Sequence, residues 1–343
     1  MVKVRALIKR LALLGLGLVL VLAGAGSVAW WANAPLRLPA GASSVDLSIE
    51  PGTRPAAIAQ AVAQAGVDVS PPLLFWWFRV SGQARSLRAG GYEITSGMTP
   101  AGLTRMVARG EESLRSLSLI EGWTWQQVRQ ALARAPDLKH DSQALSDEAL
   151  MQALGKPGAH PEGLFYPDTY SYAKGSSELA LLQRAMRAMD SHLAAAWAAK
   201  APDAAVQSPA QALILASIIE KETGRAQDRA MISSVFNNRL RIGMRLQTDP
   251  TVIYGLGPRF DGNLRKADLL ADTPYNTYTR AGLPPTPIAM PGKASLWAAV
   301  QPAASKALYF VARGDGSSAF SASLEEHNRA VNQFQLRKST AAK

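Results

Sequence analysis

The sequence predicts an α+β protein: an apolar N-terminal helix, a small αβ subdomain and a larger mixed α+β domain. Three observations carry this. Residues Leu11 to Ala32 form an unbroken stretch without charge. Between Val45 and Leu132 an alternating apolar–polar run, a Gly-containing turn and a run of helical periodicity follow one another three times, the signature of strand, turn and amphipathic helix. Beyond Pro161, long helical patterns give way to a segment rich in Gly, Pro, Tyr, Asn and Thr, and then to a short hairpin.

The first element is the apolar run. At about 1.5 Å per residue it spans roughly 30 Å, the thickness of a hydrocarbon core. Lys3, Arg5, Lys9 and Arg10 precede it, with no acidic residue among them, which places that end in the cytoplasm. Trp30 and Trp31 close the far end, where indoles favour the membrane interface. Ala23-Gly-Ala25 and Ala32-Asn-Ala34 have the small-residue pattern of signal cleavage sites. A cleaved signal carries an apolar region of only about 7–15 residues, so length and the tryptophan pair favour an uncleaved anchor. The expected organisation is a cytoplasmic tail over residues 1–10, a transmembrane helix over 11–32 and a linker over 33–44. A small subdomain over 45–112, a larger domain over 113–336 and a polar tail over 337–343 follow.

In the first αβ unit, Val45-Asp-Leu-Ser-Ile-Glu50 is a half-buried strand, Pro51-Gly-Thr53 turns the chain and can cap a helix, and Ile58, Ala59, Val62 and Ala63 give helical spacing. The unit returns at Gly91–Thr99 with Leu103, Met106 and Val107, and again at Leu117–Thr124 with Val128 and Leu132. Each Thr can accept orphan N–H groups at a helix start, and the three units are expected to share a sheet. The segment PGTRPAAIAQAVAQAGV resembles a LysM module, a family that binds N-acetylglucosamine-containing glycans. Residues 136–161 are polar and mixed, with short helices. Helices are expected over Leu179–Ala199, Gln211–Thr223 and Asp228–Ile242; Gly224 can stop the second. Residues Gly243 to Gly292 read as an ordered loop surface of aromatics and amides between prolines. Ala307–Ala312 is a buried strand with a hairpin partner at Ala319-Phe-Ser, and Leu324–Leu336 is the last helix.

Composition narrows the chemistry. Hydrophobic residues make up 48% and charged residues 18% of the 343, enough for a sizeable core. Cysteine is absent, which removes disulfides, Cys–zinc sites and a Cys nucleophile. The histidines (140, 160, 192 and 327) lack metal-ligand spacing, so neither a metal nor a cofactor is expected. The net charge is +11, yet no nucleic-acid-binding pattern appears. For an exported domain, anionic lipids and acidic wall polymers are the matching partners.

The chemistry points to Gln211-Ala-Leu-Ile-Leu-Ala-Ser-Ile-Ile-Glu220-Lys-Glu-Thr-Gly224. A helix this apolar is buried, and a carboxyl at its inner end is suited to act as a general acid; the segment alone fits a surface Glu one step past the buried part of the helix equally well. Glu222 lies two residues on, about 200° around the helix, so the two carboxylates face apart; Lys221 and Glu222 are solvated or structural. Ser217 and Ala216 share the face of Glu220 and are small enough to leave room for a sugar.

Six segments together resemble the MltG (YceG-like) endolytic murein transglycosylases: IEGWTWQQV, EGLFYPDTY, ASIIEKETG, VFNNRLRIGMRLQTDPTVIYGLG, TPYNTYTRAGLPPTPIAMPG and LYFVARGDG with FSASLEEHN. The resemblance runs from about residue 45 to 335. It implies a single-pass inner-membrane enzyme with a periplasmic catalytic domain that cuts nascent peptidoglycan strands internally, possible company for peptidoglycan synthases, and no cofactor. It places the catalytic acid on Glu220. Asn238, Arg239, Gln247, Thr248, Asp249, Tyr275, Asn276 and Tyr278 match the family's cleft segments, so the resemblance implies that they bind substrate; Arg239 equally suits anchoring the next loop by pairing with a carboxylate. Glu162 and Asp168 are read as turn and cap residues around Pro167, Glu121 as structural, and His327 and Asn328 as family positions without an argued role. Two other readings stay open. A muramidase would use Asp249 or Asp168 to position water, and a non-catalytic glycan-binding scaffold would keep the loops without the acid.

Overall fold

The computed structural model describes Gly15 and residues 22–336. The cytoplasmic tail, most of the predicted membrane span and the polar tail lie outside the described residues. Residues 22–33 are helical. Among the described residues no helix is long and apolar enough to cross a membrane.

The chain is mixed α+β and divides into two compact units. The first runs to Arg115 and adds Asp137–Lys139 and Ser171–Ser176. Its order is β1 (Ser44–Ile49), α1 (Pro55–Gln64), α2 (Pro71–Val80), β2 (Gly90–Thr95) and α3 (Pro100–Arg109). Strands β1 and β2 pair antiparallel, from Ser44 with Thr95 to Ile49 with Gly90. Alternation sends Leu47 and Ile49 inward, onto Ile58, Val62, Leu74, Phe78, Ile94 and Leu103. Each of the three helices begins at proline, whose missing N–H costs nothing in a first turn. Helix α3 ends at Gly110 with φ 69°, a left-handed cap that glycine adopts without penalty.

The second unit holds Ser116–Pro136, His140–Tyr170 and the chain from Ser177 onward. Its helices are α4 (Trp125–Ala133), α5 (Asp147–Ala153), α6 (Glu178–Ala198), α7 (Pro209–Glu222), α8 (Ala226–Arg241), α9 (Asp249–Leu256), α10 (Lys266–Leu270), α11 (Lys293–Val300) and α12 (Leu324–Val331). Thr124, Ser146, Ser177, Ser208 and Ser323 each accept an N–H at a helix start. Helix α7 is the centre of the core: Ala212, Leu213, Leu215, Ala216, Ile218 and Ile219 pack among residues of α6, α8 and α11. Strand β3 (Leu114–Ser118) pairs with β4 (Thr169–Ala173), and β5 (Tyr309–Ala312) with β6 (Ser318–Ser321), antiparallel.

Several expectations are corrected. The three αβ units do not share one sheet: β1 pairs with β2, but β3 takes β4 as its partner. Thr99 and Thr124 cap their helices, whereas Thr53 donates to the Glu50 carbonyl and leaves α1 without a side-chain cap. The stretch 243–292 is not all loop, since α9 and α10 lie within it. Strand β5 is only half buried. Helix α2 and strand β4 carry no signal in the patterns above; α2 has aromatics nearly all round and β4 is five residues long.

Candidate active site

The site is built where three segments of the second unit meet. Helix α7 ends with Glu220 in its last turn. The turn Glu121–Trp123 and the loop Met290–Gly292 clasp each other: the Gly122 N–H donates to the Met290 carbonyl (2.8 Å) and the Met290 N–H to that of Trp123 (2.7 Å). Lys221 Nζ, next to Glu220 in the chain, donates to the Gly122 carbonyl at 3.2 Å.

The Glu220 side chain is 8% exposed. Its Oε2 accepts the Gly292 N–H at 3.0 Å, and its Oε1 lies 3.8 Å from Arg229 Nη2 of α8. Gly292 is also the N-cap of α11, and a helix start favours an anion. Both oxygens thus face electropositive groups. Arg229 Nε is buried with no hydrogen-bond partner.

Glu121 is the residue that the sequence reading missed. Its side chain packs so closely on Gly292 that a Cβ there would lie 1.8 Å from Glu121 Oε1. Burial first, and then the negative charge of Glu220, raise its carboxyl above the usual range, with Arg229 opposing them. A Glu beside the Gly-Trp turn of IEGWTW carries no periodic signal; only the fold brings it to Glu220.

Ser217 and Ala216 are fully buried, so they leave no room for a sugar. Ser217 Oγ donates to the Ile214 carbonyl and accepts the Ile288 N–H, which ties the 288–292 loop to α7. Glu222 is structural: its carboxylate accepts the Thr248 hydroxyl at 2.7 Å, and burial raises its pKa.

The matched cleft residues divide by burial. Gln247, Asp249 and Tyr278 sit at or near the surface; Tyr278 Oη donates to Asp249 at 2.5 Å. Gln247 holds φ 49°, unusual for a side-chain-bearing residue. Tyr275 lines an 820 Å³ cleft with Trp125, Gln127, His160, Glu162, Tyr254 and Phe260. The others hold backbone. Asn238 donates to the Ser305 and Ala307 carbonyls. Arg239, 6% exposed, donates to Leu308 and Leu246 carbonyls, so it anchors the following loop through carbonyls. Asn276 donates to Asp268, Leu269 and Ala271 carbonyls, and the Thr248 N–H bonds Thr277.

Glu162 is a turn and cap residue, but of the Pro161–Leu164 turn, where the Leu164 N–H donates to the Pro161 carbonyl, rather than of Pro167. Its carboxylate, 2% exposed, accepts the Trp125 N–H at the first turn of α4 (2.9 and 3.0 Å) and the Tyr254 hydroxyl (3.1 Å). It is a cap supplied from 37 residues away. Burial pushes its pKa up to about 7, against those hydrogen bonds. Asp168 accepts the Thr169 N–H. The His327 ring stacks on Tyr309. Among the described residues no cluster of His, Asp or Glu has the form of a metal site.

The chain is similar to known proteins along most of its length. The chain is 31% identical over 309 residues to a Bacillus subtilis (strain 168) protein named endolytic murein transglycosylase, covering 85% of each. A Streptococcus pneumoniae (strain D39) protein of the same name is 28% identical over 332 residues, which cover 86% of this chain but 59% of that one. A 2.6 Å crystal structure of a YceG-like protein from Listeria monocytogenes superposes with a TM-score of 0.54 at 32% identity, over 84% of this chain and 98% of that one. With residues 47–333 matching its family model, the chain belongs to the YceG-like family.

Proposed function

We propose that this chain is an endolytic lytic transglycosylase of peptidoglycan in which Glu220 is acid and base in turn. The observation that carries the reading is the set of contacts around one nearly buried carboxyl: the Gly292 N–H on one oxygen and Arg229 near the other. Protonated Glu220 gives its proton to the glycosidic oxygen between N-acetylmuramic acid and N-acetylglucosamine. The C1–O4 bond breaks and positive charge develops at C1. The carboxylate, held by Gly292 and Arg229, then takes the proton of the same muramic C6 hydroxyl. C6–O attacks C1, and a 1,6-anhydro end results with no water consumed. The nucleophile is tethered, so proximity supplies much of the acceleration. In the cleft, the rings of Trp125, Tyr254 and Tyr275 suit sugar faces and Gln127 suits hydroxyl and N-acetyl groups. Gln247, Asp249 and Tyr278 supply exposed polar atoms; Asn238, Arg239, Thr248 and Asn276 support binding by fixing the loops that carry them.

Glu121 favours a second reading, a muramidase that holds water on a second carboxylate. Asp249 and Asp168, the candidates from sequence, are engaged by Tyr278 and the Thr169 N–H; Glu121 is the carboxyl coupled to Glu220. Mass spectrometry of products from uncrosslinked glycan strands separates the two. Anhydro-muramic ends that resist borohydride support the transglycosylase. Reducing ends carrying label from ¹⁸O water would replace it with the hydrolase, and release of terminal disaccharides alone would remove the endolytic element. A non-catalytic scaffold would release nothing.

The apolar run over residues 11–32 and its basic head support a single-pass inner-membrane anchor with the N-terminus cytoplasmic and the catalytic domain periplasmic. The LysM-like segment, which lies on α1 of the first unit, supports glycan contact there. Protease added to spheroplasts should digest most of the chain; a protected C-terminal part, or a mature N-terminus near residue 26 or 35, would defeat the anchor.

A further inference from the structure

Helix α2 buries one face and leaves an apolar stripe on the other. Leu74 and Phe78 are 0% and 1% exposed and belong to the core of the first unit. Leu73, Trp76 and Val80 are 37%, 58% and 73% exposed. They fall at i, i+3 and i+7, one side of a helix. The helix contains no acidic residue. Arg79 lies over the rings of Phe75 and Trp76 at 5.9 and 5.8 Å, and Arg85 and Arg88 are exposed just beyond. An apolar stripe with a tryptophan, edged by arginines, is the composition of a helix that rests among lipid head groups.

The neighbour of this stripe identifies its occupant. Leu73 lines one groove with Ala23, Gly26, Ser27, Trp30 and Trp31, and Trp31 meets Trp77 edge to face at 6.5 Å. Gly26 and Ala23 precede Trp30 by four and seven residues, about 6 and 10 Å along a helix axis. If Trp30 marks the outer interface, the start of α2 lies at that depth inside it, and interfacial helices sit about 5–10 Å deep. In sequence the apolar run of residues 11–21 leads directly into the groove-lining residues 23–31.

We propose that α2 is a membrane-seating helix whose Leu73, Trp76 and Val80 lie in the interfacial region of the lipid leaflet at the base of the anchor. The proposal rests on the anchor reading above and goes beyond it: a single spanning helix leaves the first unit free to swivel, whereas a second contact fixes its face and height over the membrane.

The absence of cysteine makes the test direct. The full chain carrying Leu73→Cys, Trp76→Cys or Val80→Cys is labelled with an environment-sensitive fluorophore and placed in nanodiscs of phosphatidylcholine and phosphatidylglycerol, with or without nitroxide-bearing lipid. These side chains are exposed, so the substitutions remove no core packing. Leu270→Cys, 68% exposed in the second unit, is the control. The expected result is a blue-shifted emission at all three α2 sites, most of it lost to nitroxide lipid, with the control unaffected. Emission at the α2 sites as unquenched as the control, in chains that stay with the discs, overturns the proposal and spares the anchor. Chains that do not associate with discs overturn both. Protection that follows the number of chains per disc rather than the nitroxide assigns the stripe to a second copy and overturns the lipid contact.

Discussion

Replacing Glu162 by Gln turns a buried electrostatic cost into a measurable pH dependence. The carboxyl is 2% exposed, and burial raises its pKa from 4.5 to about 7 in the folded chain. The unfolded chain returns it to its ordinary value. Because the folded pKa is the higher one, the folded state binds the proton more tightly. The resulting stabilisation is complete below about pH 4.5 and is lost as pH rises through about 7. At about 1.4 kcal/mol per tenfold change in proton affinity, the loss amounts to about 3 kcal/mol. The amide of Glu162→Gln mimics the protonated form: its oxygen can accept the Trp125 N–H and its NH₂ can meet the Tyr254 hydroxyl, so both partners stay satisfied without a charge. Wild type and variant, as full chains in detergent micelles, are unfolded in urea or by heat at a series of pH values. The variant should gain on wild type by about 3 kcal/mol from acid to about pH 8, which at roughly 2–4 °C per kcal/mol widens the gap in Tm by about 6–12 °C. A gap that is constant with pH, or that widens toward acid, would refute the burial argument.

Glu220→Gln should lower cleavage of purified sacculi by about 10²–10⁴ while circular dichroism stays unchanged. Glu222→Gln, whose amide oxygen still accepts the Thr248 hydroxyl, should remain within about tenfold of wild type on the same scale; equal losses would remove Glu220 from its role. Gly292→Ala has an unstrained backbone at φ −79° and ψ 174°, but its Cβ collides with Glu121 Oε1. Glu121 must then take another rotamer. The variant should fold, lose activity and shift the acidic limb of its pH–rate profile, as Glu121→Gln should in parallel, and full activity would show Glu121 to be a bystander. Gln247→Gly relieves a left-handed residue costing about 1–3 kcal/mol against roughly 0.5–1 kcal/mol of glycine entropy. Stability should hold while KM for glycan strands rises, and an unchanged KM would remove Gln247 from the cleft.

The helices that were legible, α6 to α8 above all, carry local signals, whereas α2, α9, α10 and α11 were not read. Ser208 and Pro209 open α7, aliphatic residues run on all sides of it, and Glu220 stands where that run stops; each is read within a few residues. Glu220 could therefore be singled out as a candidate from its own segment, and the family from the order of six segments, whose resemblance gave Glu220 its expected role. The strand pairings, the inward or outward aim of the cleft residues and the company of the acid were not local. β3 pairs with a strand about 50 residues away, and nothing in either strand of five residues names its partner. Asn276 and Tyr278 look alike as sugar ligands, yet one is 1% exposed and bonds three carbonyls while the other reaches the surface. Glu162 reads as a turn residue and lies in one, but only the fold shows that its carboxylate also caps Trp125, 37 positions away. Glu121 and Gly292 are 171 residues apart in number and touch only because Trp123 and Met290 pair their backbones. Apolar periodicity and capping act over one or two turns, so the sequence alone determined the candidate carboxyl and its helix. Desolvation and charge coupling act through space, so only the tertiary structure decided what surrounds that acid.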